Sequence, residues 1–272
     1  MLAKILVDNN TRNEWKAEWG LAVYIEYEGH KILLDAGTTH VFAENADMMG
    51  VNLSEVEFGV LSHAHFDHSD GLDIFFERND KAKFYLRKAC EENCYSKKGG
   101  TELSYIGIKE GYLKQFADRF AYTDEDLEVI PGVTLLPHKT KGLDKVGEHA
   151  GMYVKIRGQF QPDSFDHEQS LVFETDRGLV VFNSCSHGGA DNIIRDVQNT
   201  WPDQQIEAYI GGLHLFRSSD EEVYAFAKRV KETGIKRIYT GHCTGERAME
   251  ILKEELGDVI QELYTGMEMT FY

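Results

Sequence analysis

The amino-acid sequence predicts an α/β fold in which β-sheets are covered by helices. Two observations carry this expectation. The first sixty residues break into short β-branched and aromatic runs closed by Gly or Asp, and the second half alternates such runs with stretches of helical periodicity. The composition agrees: 42% hydrophobic and 28% charged residues in a chain of 272 suffice for a substantial core without disulfide staples.

Taken in order, KILVD, LAVYIEYEGHKILLDAG and VEFGVLSHAH read as strands, with Tyr27-Glu28-Gly29-His30 as a hairpin turn between two of them. SDGLDIFFERND then offers Ser69 or Asp70 as the cap of a helix. Farther on, SLVFETDRGLVVFNS forms two strands around an Asp-Arg-Gly turn, and ADNIIRDVQNTW a helix. IEAYIGGLHLF is a strand, SDEEVYAFAKRVKETG a helix closed by glycine, IKRIYTGHCTG a strand, and ERAMEILKEELG a last capped helix.

No linker composition or internal repeat divides the chain, so residues 1–272 are expected to form a single domain. Residues 80 to about 150 show weak, mixed periodicity, and this stretch is expected to be a substrate-shaping insertion. Its Tyr95, Tyr105, Tyr112, Phe116 and Tyr122 could stack on a planar ligand, although such aromatics more often build core.

The charge narrows the partners. With 29 Lys and Arg against 46 Asp and Glu, the formal charge is -17, and no dense basic run offsets it, so nucleic acid is not expected. No apolar stretch reaches the roughly twenty residues of a membrane span, and MLAKILVDNN turns polar too early for a secretory signal. A cytoplasmic protein acting on a small-molecule substrate is expected, and its oligomeric state is left open. Cys90, Cys94, Cys185 and Cys243 are too few and scattered for a disulfide framework, and Cys90 and Cys94 have the spacing of one helix face.

The stretch VLSHAHFDHSDG places three histidines and two aspartates within a few residues. At the end of a strand, side chains two apart point the same way, so His63 and His65 can grip one cation together. Asp67 and His68 follow where the chain turns toward a helix and can address a second cation. His187, in NSCSHGG, and His242, in TGHCTG, stand at other strand ends beside glycines that let backbone approach an ion.

The HAHFDH run resembles the HxHxDH motif of the metallo-β-lactamase superfamily, and LLDAG resembles that fold's second-strand motif, with Asp35 supporting the ligand loop. The resemblance implies a four-layer αββα sandwich, two mixed β-sheets flanked by helices, across nearly the whole chain. A narrower likeness is carried by NNTRNEWKAEWGLAVYIE, HEQSLVFETDRGLVVFNSCSHGG, IGGLHLF and GHCTG. These resemble the branch of 7,8-dihydropterin-6-methyl-4-(β-D-ribofuranosyl)aminobenzene-5'-phosphate synthases.

Carried over residue by residue, the resemblance implies that His63 and His65 hold one metal, that Asp67 and His68 hold another, and that His242 completes the second site. The last ligand of the first site is His187, with His167 of HEQSL as the competing candidate. Many superfamily members place a bridging aspartate after the strand matching GLVVFNS, whereas this chain has Asn183, Ser184, Cys185 and Ser186. A weaker or single-metal second site, or a Cys185 thiolate reaching an ion, is therefore an alternative to the common pattern, and a small buried hydrophobe is at least as good a reading of Cys185 as the thiolate. His214, in GGLHLF, reads either as a residue that hydrogen-bonds substrate or as a packed core histidine. His30, His40, His138 and His149 receive no role, although His138 or His149 could reach the pocket if the insertion folds over it.

One or two divalent cations on such ligands, zinc first with manganese or iron as alternatives, make bound water acidic and polarise a carbonyl or phosphoryl oxygen. The expected activity is that of a metal-dependent hydrolase, using a metal-activated water or a Lewis-acid centre on a small phosphorylated or pterin-like substrate, with Asp67 catalytic. The branch resemblance implies a transferase that releases pyrophosphate as an alternative. A non-catalytic, metal-dependent ligand sensor on the same fold is the reading from a different class.

Overall fold

Alternation of period two along the strands decides the layering. In the strand Ala22–Tyr27, Val23 and Ile25 face a core shared by two sheets, while Ala22 and Tyr24 face helices on the other side. The structure, a computed structural model, describes residues 1–12, 14–97 and 102–272. Asn13 of the NNTRNEWK motif and residues 98–101, where TELSYIGIKEG begins, lie outside the described residues.

Two sheets of seven strands face each other. The first runs from edge to edge as Glu268–Thr270, Leu2–Val7, Ala22–Tyr27, His30–Leu34, Phe58–Val60, Lys83–Arg87 and Phe120–Thr123. The second runs as Ile260–Glu262, Ile238–Thr240, Ile206–Ile210, Gly178–Phe182, Gln169–Thr175, Val133–Pro137 and Leu127–Ile130. Ile5, Ile25, Phe173, Phe182 and Ile210 interdigitate between them. Phe42 and Ala46 of Val41–Met48 and Phe75 of Leu72–Arg78 cover the outside of the first sheet. Helices Ala190–Thr200, Asp220–Thr233 and Glu246–Leu256 cover the second through Ile194, Phe226 and Ile251. Both sheets are mixed, so the αββα layering expected from the sequence is what the chain builds.

The hairpin turn stands where expected. Tyr27 pairs with His30 while Glu28 and Gly29 both take positive φ, as a tight two-residue turn requires. The helix Asp220–Thr233 carries a complete capping box from Ser219 and Glu222 and ends at Gly234 with φ of 71°.

Three expectations need correction. Neither Ser69 nor Asp70 caps the helix after the histidine run: a short helix, Phe66–Ser69, comes first, Ser69 donates to the His65 carbonyl, and the next helix opens after Gly71. Cys90 and Cys94 do not share a helix, because Cys94 begins the strand Cys94–Lys97. Residues 80–150 are not one insertion either. Lys83–Arg87 and Phe120–Thr123 extend the first sheet, and Leu127–Ile130 and Val133–Pro137 the second. Among the described strands of this stretch, Cys94–Lys97 and Leu103–Tyr105 leave the sandwich, joining Met152–Ile156 and Gln159–Pro162 in a separate four-stranded sheet.

The parallel pairing of Gly178–Phe182, Ile206–Ile210 and Ile238–Thr240 points their carboxyl ends to one edge of the sandwich. His30–Leu34 and Phe58–Val60, also parallel, open there through Asp35 and Ser62. The Gln169 side chain donates to the Leu61 carbonyl at 2.9 Å and its backbone N–H to the Ser62 carbonyl at 2.8 Å, so the two sheets are locked together beneath that edge.

Gly211 sits in this arrangement at φ of 144°, and a Cβ there would lie 1.8 Å from the Asn183 carbonyl oxygen. Since that contact is with backbone, Gly211→Ala is expected to lower stability by about 2–4 kcal/mol. Thermal unfolding measured by circular dichroism checks this, with an unchanged midpoint as the contrary result.

Candidate metal centre

The ligand loop is held from behind by a carboxylate. Asp35, fully buried and at a positive φ of 57°, accepts from the Ser62 backbone N–H and hydroxyl, each at 2.7 Å, and binds the His68 Nδ1 at 2.8 Å. The Ser62 hydroxyl also meets His63 Nδ1 at 2.8 Å. With both Nδ1 atoms engaged, the Nε2 atoms of His63 and His68 are the ones free to turn forward.

In front of that brace the rings of His63, His65 and His187 pack with centroids 4.6, 4.7 and 4.8 Å apart. All three side chains are buried, yet Nε2 of His63, Nε2 of His65 and both ring nitrogens of His187 have no hydrogen-bond partner. An unpaired buried nitrogen costs about 1–3 kcal/mol, so several gathered in one place fit a bound cation. Burial together with the neighbouring imidazoles holds His63 and His187 well below the ordinary histidine pKa, and burial beside His167 takes His65 down to about 3. Neutral imidazole is the form that binds metal.

Asp67, His68 and His242 form the adjoining group. His68 Nε2 lies 3.2 Å from His242 Nε2 and 3.3 Å from Cys185 Sγ, and Asp67 Oδ2 lies 3.5 Å from His242 Nε2 and 3.7 Å from His68 Nε2. Ligand atoms about 2.0–2.3 Å from a tetrahedral ion stand roughly 3.3–3.8 Å from one another, so these spacings suit one cation. Burial pushes the Asp67 carboxyl up, but His68 and His242 beside it outweigh that and keep it ionised below the usual carboxylate range. Burial likewise opposes charge on His242, while Cys243, Asp67 and Asp8 lift its pKa to about 9.

Cys185 belongs to both groups. Its sulfur falls within 4.8 Å of the ligand atoms of His63 and His187 on one side, and of His68 and His242 on the other. The thiol therefore stands between the two groups, in the stretch where the sequence lacks the expected aspartate.

His167 does not face the cluster in the same way. Its Nδ1 accepts the Ala64 backbone N–H at 3.2 Å and its Nε2 meets Asp163 at 3.0 Å, so both nitrogens are engaged. His187, with neither engaged, is the better candidate for the first group. His167, Asp163 and Cys94 pack instead behind His65, all four side chains offering ligand atoms within 4.8 Å of one another. His214 packs on His187 with ring centroids 4.3 Å apart, has a buried, unpartnered Nδ1, and approaches Cys185 and Cys243.

Sequence reasoning missed several supports. Asn9 Oδ1 meets His242 Nδ1 at 3.0 Å and its amide donates to the His242 carbonyl at 3.1 Å, while Asp8 Oδ1 accepts the His242 N–H at 3.2 Å. Glu168 accepts the N–H groups of His187 and Gly188 and is bound in turn by His138, which thus braces the centre from outside the pocket. The only available signal was DNN directly after the first strand, which reads equally well as a turn. Asp35, Phe165, Ser186, His214 and His242 all hold positive φ without being glycine, a conformation costing about 1–2 kcal/mol each. Their concentration around one spot marks it as the place where the fold tolerates strain.

The comparisons with known proteins fit this geometry. The model of the metallo-beta-lactamase superfamily matches residues 20–242. The chain belongs to that superfamily. It is 30% identical to a crystal structure of Tm1679, a metal-dependent hydrolase of the beta-lactamase superfamily, with a TM-score of 0.84 and 100% and 99% of the two chains covered. It is 26% identical, over 94% of its length and 90% of the relative's, to the 7,8-dihydropterin-6-methyl-4-(beta-D-ribofuranosyl)-aminobenzene-5'-phosphate synthase of Methanocaldococcus jannaschii. A diphosphatase of the PhnP family shares the fold at a TM-score of 0.57 and 15% identity, covering 100% and 98% of the chains. Among the described residues no helix is long and apolar enough to cross a membrane.

Two outcomes follow for this superfamily member. Asn9→Ala frees the His242 ring, so divalent-metal affinity should fall about 10–100-fold, as titration calorimetry would report, with unchanged affinity as the contrary result. His214→Ala should keep its full metal content and bind substrate more weakly, whereas loss of metal on elemental analysis would make His214 a ligand.

Proposed function

We propose that this protein is a metal-dependent hydrolase that acts on a small phosphorylated or pterin-like substrate. The observation that carries the reading is the gathering of His63, His68, His187 and His242 around Cys185, with His65 packed on His63 and His187, Asp67 beside His68 and His242, and buried imidazole nitrogens unpartnered. Superfamily membership supports it independently. His63, His65 and His187 would hold one divalent ion and Asp67, His68 and His242 a second, with Cys185 shared. Zinc suits this mixture of nitrogen, sulfur and one carboxylate oxygen better than manganese does, because a thiol is a soft donor. Such an ion supplies Lewis acidity and lowers the pKa of water near it.

The chain's own residues set up the rest. Asp67 is an ionised carboxylate lining a cavity of about 330 Å³, placed to orient a water at the reacting group. Trp19, Phe66, Ile106, Met152 and Phe216 wall that cavity, excluding bulk water and offering a flat apolar partner to a ring. The five aromatics singled out in the middle of the sequence do not line it; Tyr95 and Tyr105 pack edge to face on each other, and Tyr112 packs on Phe116.

A second reading, a synthase-type transferase releasing pyrophosphate, is favoured by the likeness to the Methanocaldococcus jannaschii synthase over nearly the full chain. Both readings use the same residues and differ in whether water or a second substrate attacks.

Asp67→Ala should keep the fold, since the side chain lies at the cavity surface, and should reduce turnover of phosphodiester, thioester or lactone substrates by at least about 10³-fold. Steady-state kinetics beside a circular dichroism spectrum decide this, and full activity in a folded variant refutes the role. Absence of turnover by the metal-loaded wild-type protein on all such substrates, with ligand binding intact, would favour a sensor.

A further inference from the structure

Beside the smaller cavity lies a larger one of about 800 Å³, and His187, His214 and Arg217 line both. The two spaces therefore meet at the edge of the histidine cluster. Their walls differ in chemistry. The smaller is aromatic and apolar around Asp67, whereas the larger carries Lys97, His149, Arg217 and Arg229 with Glu222 as the acid facing them.

Ion pairing separates these charges into two kinds. Arg229 is committed to Asp191 at 2.8 Å, and His149 to Glu222 at 2.7 Å. Among the described residues Lys97 Nζ meets the Tyr153 hydroxyl, at 3.0 Å, and no carboxylate, and Arg217 has no acidic partner, its guanidinium lying 5.0 Å from the Phe216 ring centroid. In a chain where 46 acidic residues outnumber 29 basic ones, two cations bordering the same cavity without a carboxylate are available to an anion from outside.

The loop bearing Arg217 is fixed relative to the metal centre. Leu213 N–H donates to the Thr244 hydroxyl at 3.0 Å and Phe216 N–H to the Cys243 carbonyl at 3.2 Å, tying the loop to the turn that carries His242. Gly245 permits this closeness, since a Cβ there would lie 2.7 Å from Phe216 Cα. The backbone from which Arg217 projects thus stands at a set place beside the histidine cluster.

We infer that Arg217 and Lys97 form a subsite for a phosphate-type anion, which anchors the charged end of the substrate in the larger cavity while its flat portion lies against Trp19, Phe66 and Phe216 in the smaller one. This rests on the enzymatic reading above and adds to it the residues that select the substrate. The ligand class is an elongated molecule with a dianionic phosphate or diphosphate at one end and a planar ring near the bond that reacts.

Phenylphosphonate, a ring with a dianion that is not hydrolysed, is the probe. Calorimetric titration of the metal-loaded, full-length protein is compared with that of Arg217→Gln, Lys97→Gln and Arg217→Lys, with metal content measured in each. Each neutral variant should bind about five- to tenfold more weakly at unchanged metal content, with Arg217→Lys retaining most of the affinity. Wild-type affinity in both neutral variants, no binding by the wild-type protein, or metal loss from either variant would overturn the subsite. Turnover is scored separately: weakened binding in a protein without activity leaves the subsite standing and removes the catalytic reading, while active variants with unchanged binding do the reverse.

Discussion

Everything at the open edge of the sandwich hangs on one buried carboxylate. Asp35 has no contact with water, and its two oxygens are used up by the Ser62 N–H, the Ser62 hydroxyl and His68 Nδ1. Those bonds do two things at once. They terminate the parallel pair His30–Leu34 and Phe58–Val60 in a fixed loop geometry, and they fix which nitrogens of His63 and His68 remain available. Because a buried carboxylate without partners would cost several kcal/mol, the loop cannot drift away from Asp35 without a large penalty. The ligand arrangement is therefore a property of the folded scaffold rather than something a cation must assemble.

The same logic recurs on the other sheet with different partners. Glu168 holds the His187 loop through two backbone N–H groups, and Asp8 with Asn9 hold the His242 turn. His68, His187 and His242 are thus each backed by an acceptor from another element. Parallel strands make this feasible, since their carboxyl ends open on one edge and successive loops arrive side by side. Strain is accepted at the same places: His242, His214 and Ser186 take left-handed backbone conformations because the direction of the side chain matters more there than local comfort.

What the sequence made legible was what is local. HAHFDH reveals itself because its ligand types lie within one strand end and one helical turn, and the paired strands on either side have plain turn chemistry. What depended on distant contacts was not legible. Choosing His187 over His167 requires knowing that the Ala64 N–H and Asp163 occupy both nitrogens of His167. Cys185 reads in sequence either as a thiolate near an ion or as a small buried residue, and its place between two histidine groups comes only from the packing of strand ends. The stretch 80–150 looked like an insertion because its strands are short and half-covered, as in Leu127–Ile130, where no residue is fully buried and the period-two signal fades. Asp8 and Asn9 were invisible because a polar pair after a strand is ordinary turn composition.

The acidic surface and the cationic cavity wall are compatible for reasons of distance. At physiological ionic strength charges are screened over about 8 Å, so the formal charge of -17 spread over the exterior acts weakly on a small anion already inside. Contact charges behave otherwise: a guanidinium at hydrogen-bonding range of a bound anion lies well inside the screening length and binds it with direction. Arg217 and Lys97 can therefore dominate locally even though the net field opposes approach. The cost falls on encounter rate rather than on the bound state, which is acceptable for a substrate small enough to diffuse into the cavity. It also sharpens selection, because an anion too large to enter would meet the acidic exterior without reaching the cations that compensate for it.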